Sequence, residues 1–298
     1  MLRNVTDMDL RLLRIFSVVV KCGGFTSAQA ELNMSQSNIS MQISSLEKRL
    51  GYRVCERGKG GFRLTEKGQK ILESATQLFG ALDAFRNDAQ SLAGRLVGDV
   101  YLGLADNIAT LPRAHIDAAI NRFYQREHDV HLHVFVNSPI ELELAVIDGQ
   151  LDLAVSYFGR SLPTLDYQPL YSEEVAVFCG HLHPLFATAQ PSLEQLRSCD
   201  WIKYGFLPAD LLQPPAPERA SATAHHVEAV LHAILAGTHL GYLPVHYAQP
   251  WLDAGKMRIL QPEALHYELQ HSLITHIGQS QSEAVRAFIE DLRAVHGL

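Results

Sequence analysis

The chain has 298 residues, of which 47% are hydrophobic and 19% charged, and its formal net charge is −7 at pH 7. A single core rarely grows beyond about 250–300 residues, so this length predicts about two domains. No apolar run approaches the ~20 residues that span a bilayer, and acidic Asp7 and Asp9 interrupt the segment that a secretion signal would need. The four cysteines have no Cys-x-x-Cys spacing, which favours reduced thiols. These features argue against membrane and disulfide-rich secreted proteins, and we expect a cytoplasmic protein.

Positive charge is concentrated at the amino terminus. Residues 1–67 hold 11 Lys and Arg against 6 Asp and Glu, whereas residues 68–298 hold 14 against 26. An acidic protein with a basic end is expected to approach nucleic acid by that end, because phosphate attracts it electrostatically. Charge asymmetry is common, so it supports this interpretation only together with the motifs described next.

Three helices are predicted in the first 50 residues. The first is capped at Thr6-Asp7, carries apolar residues at three- and four-residue spacing and ends at Gly23-Gly24. Two short helices separated by a tight turn follow within residues 26–50. Ser35 is a good N-cap for the last of them. Its apolar positions have the spacing of a buried face: Ile39, Ile43, Leu46 and Leu50.

The outward positions of this last helix form a nearly uncharged row of hydrogen-bonding side chains. They are Gln36, Ser37, Asn38, Ser40, Gln42 and Ser44. An ordinary solvated face is rich in Lys, Glu and Arg, whereas Gln and Asn can pair bidentately with adenine in the DNA major groove. The row therefore favours base reading by the first turn of a recognition helix. The alternative is a small polar helix in a bundle.

A cationic hairpin is predicted over residues 52–65, where apolar residues flank a Gly-rich reversal. A cationic hairpin that lies beside a recognition helix can act as a wing, which contacts DNA phosphate. The Gly-Lys-Gly-Gly run at its tip is too short for a nucleotide-binding P-loop. The complete set of predicted DNA-binding residues is Ser27, Ser35, Gln36, Ser37, Asn38, Ser40, Gln42, Arg57, Lys59 and Arg63.

From residue 68 the chain is predicted to form a long helix with a heptad seam. The seam alternates steps of four and three residues: Ile71, Ala75, Leu78, Leu82, Phe85, Ala89 and Leu92. We expect Ile71, Leu78, Leu82, Phe85 and Leu92 to pair two subunits. The alternative is a stripe that packs on its own domain. A DNA-binding dimer reads two half-sites, so the target should be an interrupted palindrome.

The remaining two thirds alternate between strand-like and helix-like segments. Strands are predicted at 100–104, 131–136, 151–155, 174–179, 201–204 and 240–244, and helices at 113–126, 139–149, 225–236 and 281–294. Strand–helix–strand alternation predicts a parallel α/β sheet.

The chain resembles the LysR-type transcriptional regulators. The amino-terminal residues that carry the resemblance are Phe16, Gly24-Phe25-Thr26-Ser27-Ala28, Ala30, Leu32, Ser35-Gln36, Ile39-Ser40, Gln42-Ile43, Leu46-Glu47, Leu50-Gly51, Arg57 and Leu64-Thr65-Glu66-Lys67-Gly68. Ser37, Asn38 and Met41 stand where the family often has Pro, Ala and Arg, and Cys55 stands where Phe is usual. The missing Arg removes a phosphate or base contact, which makes the target sequence harder to infer.

The carboxy-terminal part also resembles the effector domain of this family. The matching segments are Asp148-Gly149-x-Leu151-Asp152-Leu153-Ala154, Glu174 with His183-Pro184-Leu185, and Ala236-Gly237 with Leu240-Gly241-Tyr242-Leu243-Pro244. The resemblance implies an α/β protein with an amino-terminal winged helix-turn-helix, a long linker helix and a two-lobed effector domain similar to periplasmic binding proteins. The implied bounds are 1–67, 68–94 and 95–298, with lobe one at 95–165 and 268–298 and lobe two at 166–267.

Double-stranded DNA, a small-molecule effector and further copies of the chain are the partners that this resemblance implies. The assembly would be a homodimer or homotetramer, with RNA polymerase as a further candidate partner and no cofactor. Ligands in such folds bind beyond the carboxyl ends of strands, between the lobes. The candidate effector-binding residues there are Asp106, Asn107, Thr110, Asn137, Tyr157, Tyr204, His225 and His226. Asp106 stands where the family commonly has Ser or Thr, which suggests a ligand with a donor or cationic group.

Other functional classes have weaker support. His131/His133, His181/His183 and His225/His226 are close pairs, but none has a Cys or carboxylate at a recognised metal-ligand spacing. A redox sensor would need Cys179 or Cys199 to have a low-pKa thiol. A metal- or redox-responsive regulator on the same scaffold is therefore the alternative, and no metal site is expected. The nucleophile-elbow, dinucleotide-binding and zinc-protease motifs are absent, so we do not expect an enzyme.

Overall fold

The computed structural model describes residues 4–58, 61–91, 96–205, 220–261 and 265–298. The chain divides into two compact units, Met1–Arg86 and Asn87–Leu298, and each is described by itself. Two of the predicted site residues, Lys59 and Leu92, lie outside the described residues. None of the described helices is both long and apolar enough to cross a membrane.

The amino-terminal unit is a winged helix-turn-helix. Its elements are α1 (Asp7–Lys21), α2 (Ala28–Leu32), α3 (Gln36–Leu50), the antiparallel strands β1 (Cys55–Gly58) and β2 (Gly61–Leu64), and α4 (Glu66–Ser91). The predicted apolar face of α3 is confirmed, because Ile39, Ile43 and Leu46 are completely buried. They pack with Leu12, Phe16 and Val19 of α1 and with Phe25 of the intervening turn.

A buried ion pair joins the beginning of α1 to the end of α3. Asp9 is completely buried, and its carboxylate accepts hydrogen bonds from the backbone and hydroxyl of Thr6 and from Arg49. The hydrogen bond from Arg49, followed by that from Thr6, holds the pKa of Asp9 well below its ordinary value. The Asp9 charge also lies at the positive end of the α1 dipole. This contact therefore ties the end of α3 to the start of α1.

The Leu-Thr-x-x-Gly motif forms the junction between the hairpin and α4. The Thr65 hydroxyl donates to Arg53 O and accepts from Gly68 N, both at 2.9 Å, so it caps α4 and closes the hairpin base. Thr65 N donates to Val54 O at 3.1 Å. A Cβ built on Gly68 would lie 1.9 Å from Val54 O, so only glycine fits at this crossing.

The carboxy-terminal unit is a mixed α/β structure. It contains β3 (Leu96–Leu104), α5 (Ile116–Tyr124), β4 (His128–Val136), α6 (Pro139–Ile147), β5 (Leu153–Tyr157), β6 (Leu165–Gly180), α7 (Leu193–Ser198), β7 (Trp201–Tyr204), β8 (Ala220–Ala224), α8 (Val227–Leu235), β9 (Gly241–Pro244), α9 (Val245–Asp253), β10 (Met257–Ile259), β11 (His266–His276) and α10 (Glu283–Val295). The principal sheet has the order β10-β6-β11-β5-β3-β4, with β9 beside β6, and β7 pairs with β8.

The prediction of a parallel sheet is confirmed for some strands and wrong for others. Strands β3, β4 and β5 are parallel, as are β7 and β8, but β11 runs antiparallel to both β5 and β6. Strands β9 and β10 are also antiparallel to β6. The reason is that β6 and β11 are long strands that cross the whole unit, rather than members of a repeated strand–helix–strand series.

Strands β6 and β11 connect two lobes with separate cores. In lobe one, β3, β4, β5, α5 and α10 surround a core that includes Leu102, Phe123 and Phe288, and α6 packs in a separate cluster with β5 and β11. In lobe two, α7–α9 and β7–β10 surround cores that include Phe178 and Val230. The register of β6 against β11 shifts between His271 and Ser272, which places a bulge near the passage between the lobes.

Candidate nucleic-acid interface and ligand cleft

The first turn of α3 presents a capped, uncharged polar surface. Ser35 has extended backbone, and its hydroxyl accepts a hydrogen bond from Asn38 N at 3.3 Å. The hydroxyls of Ser35 and Ser37 lie 3.0 Å apart, and Gln36 N donates to Gln29 Oε1 at 3.2 Å. These bonds fix the start of α3 against α2 while the side chains of Gln36 and Ser37 remain exposed.

The next turn of the same face continues this surface. The Gln42 amide donates to Asn38 Oδ1 at 3.3 Å, and both side chains are half-buried, as is Ser40. An amide pair one turn apart restricts the side-chain rotamers, so less entropy is lost when a partner binds. Met41 is 65% exposed beside them. Ser27, which precedes α2, is exposed.

The hairpin is attached to α3 through Glu47, a residue that sequence reasoning did not assign to the site. Glu47 Oε1 accepts hydrogen bonds from Val54 N at 3.0 Å and Cys55 N at 3.4 Å. Arg63 is exposed on β2 and lies opposite Glu56 in the strand register. Arg57 lies opposite Phe62, whose ring packs edge-on against Phe25. Hydrogen bonds from the hairpin backbone to Glu47 therefore hold the hairpin, which carries Arg63, against the helix that carries the polar face.

The predicted heptad seam changes character along α4. Ala75 is buried and Ile71 packs against the core of the amino-terminal unit, so this part of the seam serves its own fold. Leu78 is half-buried. Leu82 and Phe85 are 38% and 72% exposed, which is unusual for large apolar side chains on one helix stripe.

Asp106 connects the two lobes of the carboxy-terminal unit. Its Oδ2 accepts a hydrogen bond from Val227 N, the first residue of α8, at 2.7 Å. His226, the N-cap of α8, has Nδ1 3.8 Å from the same oxygen. Burial raises the pKa of Asp106, and the Val227 bond and the His226 charge oppose this shift. Helix N-termini commonly bind anions through their free N–H groups, and at α8 the first of these N–H groups is bonded to the chain's own Asp106 carboxylate.

A second connection between the lobes runs through Thr110. The Thr110 hydroxyl lies 2.9 Å from His246 Nδ1 in the first turn of α9. His246 Nε2 lies 2.7 Å from Glu173 Oε1, and His271 Nε2 lies 3.2 Å from Glu173 Oε2. Burial opposes the Glu173 charge, but the two histidine hydrogen bonds outweigh it, so the pKa of Glu173 lies below its ordinary value.

Glu173, His246 and His271 were not predicted as cleft residues. Their positions are separated by 73 and 98 residues along the chain, and their pairing depends on strands that pass between lobes. The Nδ1 atom of His271 is buried and lacks a hydrogen-bond partner among the described residues. Its ring stacks on Tyr171 with centroids 4.9 Å apart.

A small cavity lies between the lobes next to these groups. Its volume is about 30 Å³, and its lining comprises Ala105, Asp106, Asn107, Pro139, Tyr157, Glu173, Val175, Tyr204, Val227, Pro244, Tyr267, Leu269 and His271. Four predicted residues therefore meet here: Asp106, Asn107, Tyr157 and Tyr204. The other four lie outside this lining: Thr110, Asn137, His225 and His226. A volume of this size holds about two water molecules.

Tyrosines supply much of the cavity's aromatic surface. Burial raises the pKa of Tyr157, Tyr204 and Tyr267, so their hydroxyls stay protonated at neutral pH. The Tyr204 hydroxyl donates to Tyr242 O at 3.0 Å. The cavity can thus offer neutral hydroxyls, aromatic faces and carboxylates to a ligand.

A larger open hollow of about 350 Å³ lies on lobe one, between β6, β11 and α10. Arg293 donates to Gln168 Oε1 at 2.7 Å within it. None of the predicted effector-binding residues lines this hollow. The interlobe cavity is therefore the better candidate for a ligand site.

The cysteines and histidines do not favour metal or redox sensing. Burial raises the pKa of Cys179 to about 11 and also raises that of Cys199, so both thiols remain protonated. Among the residues that the structure describes, no three His, Cys, Asp or Glu side chains form a metal-binding group. His183 instead accepts a hydrogen bond from Leu185 N at 3.1 Å, which is a structural role.

Comparison with known proteins agrees with both units. Residues 10–69 match the model for the bacterial regulatory helix-turn-helix protein, lysR family, and residues 94–297 match the LysR substrate binding domain. The chain is 35% identical over 292 residues to the HTH-type transcriptional activator BauR of Pseudomonas aeruginosa, covering 97% of this chain and 96% of BauR.

Solved structures show the same fold at lower identity. A full-length OxyR variant from Pseudomonas aeruginosa has a TM-score of 0.69 at 20% identity, covering 99% of this chain and 97% of that one. Full-length CbnR, solved with its target DNA, has a TM-score of 0.63 at 18% identity, covering 96% and 99%. With family models matching both units and a relative aligned along nearly its whole length, the chain belongs to the LysR family of transcriptional regulators.

Proposed function

We propose that this regulator binds an interrupted palindrome in double-stranded DNA and that a small molecule in the interlobe cavity controls its activity. The observation that carries DNA recognition is the capped, uncharged first turn of α3, mounted on a unit with net positive charge. We assign residues 1–67 to DNA binding, 68–94 to the linker and 95–298 to effector binding, with the lobes divided at 165/166 and 267/268. The protein would act in the cytoplasm, where it meets DNA and RNA polymerase.

Contacts with base edges and contacts with the DNA backbone are assigned to different residues. Gln36, Asn38, Ser40 and Gln42 are proposed to contact base edges, since their side chains can donate and accept hydrogen bonds. Ser27, Ser35 and Ser37, with Arg57, Lys59 and Arg63 of the hairpin, would contact the backbone. Base contacts specify sequence, whereas phosphate contacts add affinity that depends on salt.

Gln36→Ala is expected to relax the preference at one base pair, at a cost of about 1–3 kcal/mol for the preferred sequence. Arg63→Ala should weaken binding to all sequences alike and reduce the salt slope by about one unit. Binding to a set of singly substituted operators at several salt concentrations measures both effects. Gln77→Ala, at an exposed α4 position, is the matched control and should change neither. If the Gln36 and Arg63 variants behave alike, this division of roles is wrong.

The exposed part of the α4 seam is proposed to pair subunits. Leu82 and Phe85 would be covered by a second α4, with Leu92 extending the contact and Ile71 and Leu78 supporting its start. Dimers could then associate into a homotetramer across two operator sites. Two half-sites bound by one dimer would explain the palindromic target.

A double Leu82→Glu, Phe85→Glu variant is expected to weaken dimerisation at least about 100-fold, because each large apolar side chain contributes about 1.5–3 kcal/mol when buried. Sedimentation equilibrium measures this directly. Gln77→Glu introduces a single glutamate off the seam and should leave the dimer intact. Unchanged association of the double variant would refute the proposed interface.

Effector control requires a ligand that binds one arrangement of the lobes more tightly than another. The contacts from Asp106 to Val227 and from Thr110 to His246 join the lobes around a cavity that holds about two water molecules. A ligand of metabolite size must therefore alter these contacts on entry. Such a change could move the lobes and, through them, the assembled subunits.

A further inference from the structure

We propose that the effector carries a protonated amine and that Asp106 is its counter-ion in the interlobe cavity. This inference rests on the effector-binding function proposed above and names the chemical class of the ligand. It follows from the charge of the cavity lining, the state of the α8 N-terminus and the aromatic surface around Asp106.

The described residues that line the cavity include two carboxylates, Asp106 and Glu173, and neither Lys nor Arg. Both Glu173 oxygens already face histidines, at 2.7 Å and 3.2 Å, so its charge is locally compensated. The Asp106 carboxylate accepts hydrogen bonds from Val227 N at 2.7 Å and from its own backbone N–H, lies 3.2 Å from the side-chain amide of Asn107, and has the 59% exposed His226 at 3.8 Å. A carboxylate accepts about four hydrogen bonds, so Asp106 retains capacity for an ammonium group.

The same cavity is unfavourable for a negatively charged ligand. Helix N-termini bind anions through free N–H groups, but the Val227 N–H of α8 is already bonded to Asp106. A second carboxylate beside Asp106 in a partly buried site would be repelled. An anion that displaced Asp106 from α8 would offer this carboxylate no donor in exchange for Val227 N–H, whereas an ammonium group would supply one.

The aromatic residues favour the same ligand class. Tyr157, Tyr204 and Tyr267 line the cavity, and the Asp106 charge acts on the first two. Tyrosine rings attract cations through their π-electron faces. An ammonium group can therefore contact both a carboxylate and aromatic surface, which partly replaces its hydration shell.

Three probes of similar size and different charge test this inference on the full-length protein. Propylammonium, propionate and 1-propanol are titrated at constant ionic strength, and both thermal unfolding and calorimetric binding are followed. Propylammonium is expected to stabilise the carboxy-terminal unit in a dose-dependent manner, whereas the other two have no effect. Asp106→Asn keeps an acceptor for Val227 N–H, so it should fold, but it should bind propylammonium at least 10-fold more weakly. Asp117→Asn, at an exposed site on α5, is the matched control and should bind like the unaltered chain.

The outcomes distinguish this inference from the function on which it rests. Stabilisation by propionate alone would overturn the amine class while leaving a ligand-binding cleft. Equal propylammonium binding by the Asp106 and Asp117 variants would overturn the role of Asp106. If none of the three probes binds, both the amine class and the proposed effector cleft fail.

Discussion

Gly68→Ala is expected to destabilise the amino-terminal unit by about 3 kcal/mol or more and to abolish DNA binding. Alanine normally favours a helix over glycine by about 1 kcal/mol, but here its Cβ would lie 1.9 Å from the Val54 carbonyl oxygen. A backbone atom at this distance cannot move without separating α4 from the hairpin base, where Thr65 bridges them. Chemical denaturation of the full-length variant, with DNA binding measured in parallel, tests the expectation.

Gly51→Ala is the control for this substitution. Gly51 has a φ of +84° at the end of α3, but no atom lies within 4 Å of a Cβ built there. Its replacement should cost only the backbone strain, about 1–2 kcal/mol. The carboxy-terminal unit should unfold normally in both variants. If the two substitutions destabilise the amino-terminal unit equally, close packing is not the reason that position 68 requires glycine.

Asp152 is expected to make the carboxy-terminal unit less stable as pH rises from about 4 to about 6. Burial, assisted by the charge of Asp99 and opposed by the Tyr101 N–H, raises the pKa of Asp152 to about 6. The folded state therefore binds a proton more tightly than the unfolded state. The resulting loss of stability is about 3 kcal/mol, complete above the folded pKa.

Asp152→Asn should remove this pH dependence and be more stable than the unaltered chain at pH 8. The Asn oxygen can still accept the hydrogen bond from Tyr101 N, which is 2.8 Å from the Asp152 carboxylate. Denaturant unfolding at intervals from pH 4 to pH 8 gives the comparison. Asp148→Asn, at an exposed position in the same motif, should keep the pH dependence of stability seen in the unaltered chain. If the unfolding free energy of the Asp152 variant still falls with pH as in the unaltered chain, the Asp152 carboxylate is not the source of this pH dependence.

Local sequence signals were sufficient for the elements of the amino-terminal unit. Ser35 and Gly51 mark the two ends of α3, because helix capping depends on residues adjacent in sequence. The spacing of Ile39, Ile43 and Leu46 identified the buried face of this helix. The same reasoning placed α8, whose predicted start at 225 differs from the observed Val227 by two residues. These features require no knowledge of distant contacts.

The long crossing strands were not predictable in the same way. Only residues 175–179 of β6 form a continuous apolar run, whereas its first half alternates between buried and more exposed positions. β11 contains His266, His271 and His276, which weakens its strand pattern. α9 was missed because it follows Pro244 directly and contains Pro250, a residue that normally interrupts helices. Both strands depend on partners from separate parts of the chain.

The candidate cleft shows the same limit. Sequence position suggested Asp106 and the α8 N-terminus separately, but their hydrogen bond joins residues 121 positions apart. Glu173 carried no local signal, since its histidine partners come from α9 and β11. Tertiary contacts therefore determine the site chemistry even where its component elements are predictable.

Selection of bound fragments from sheared genomic DNA tests sequence-specific regulation most directly. The full-length protein is used at near-physiological salt with excess nonspecific competitor, because competitor suppresses binding that depends on phosphate charge alone. We expect enrichment of an interrupted palindrome whose half-sites lie on one face of the duplex. A folded protein that enriches no common sequence, with or without propylammonium, would contradict it.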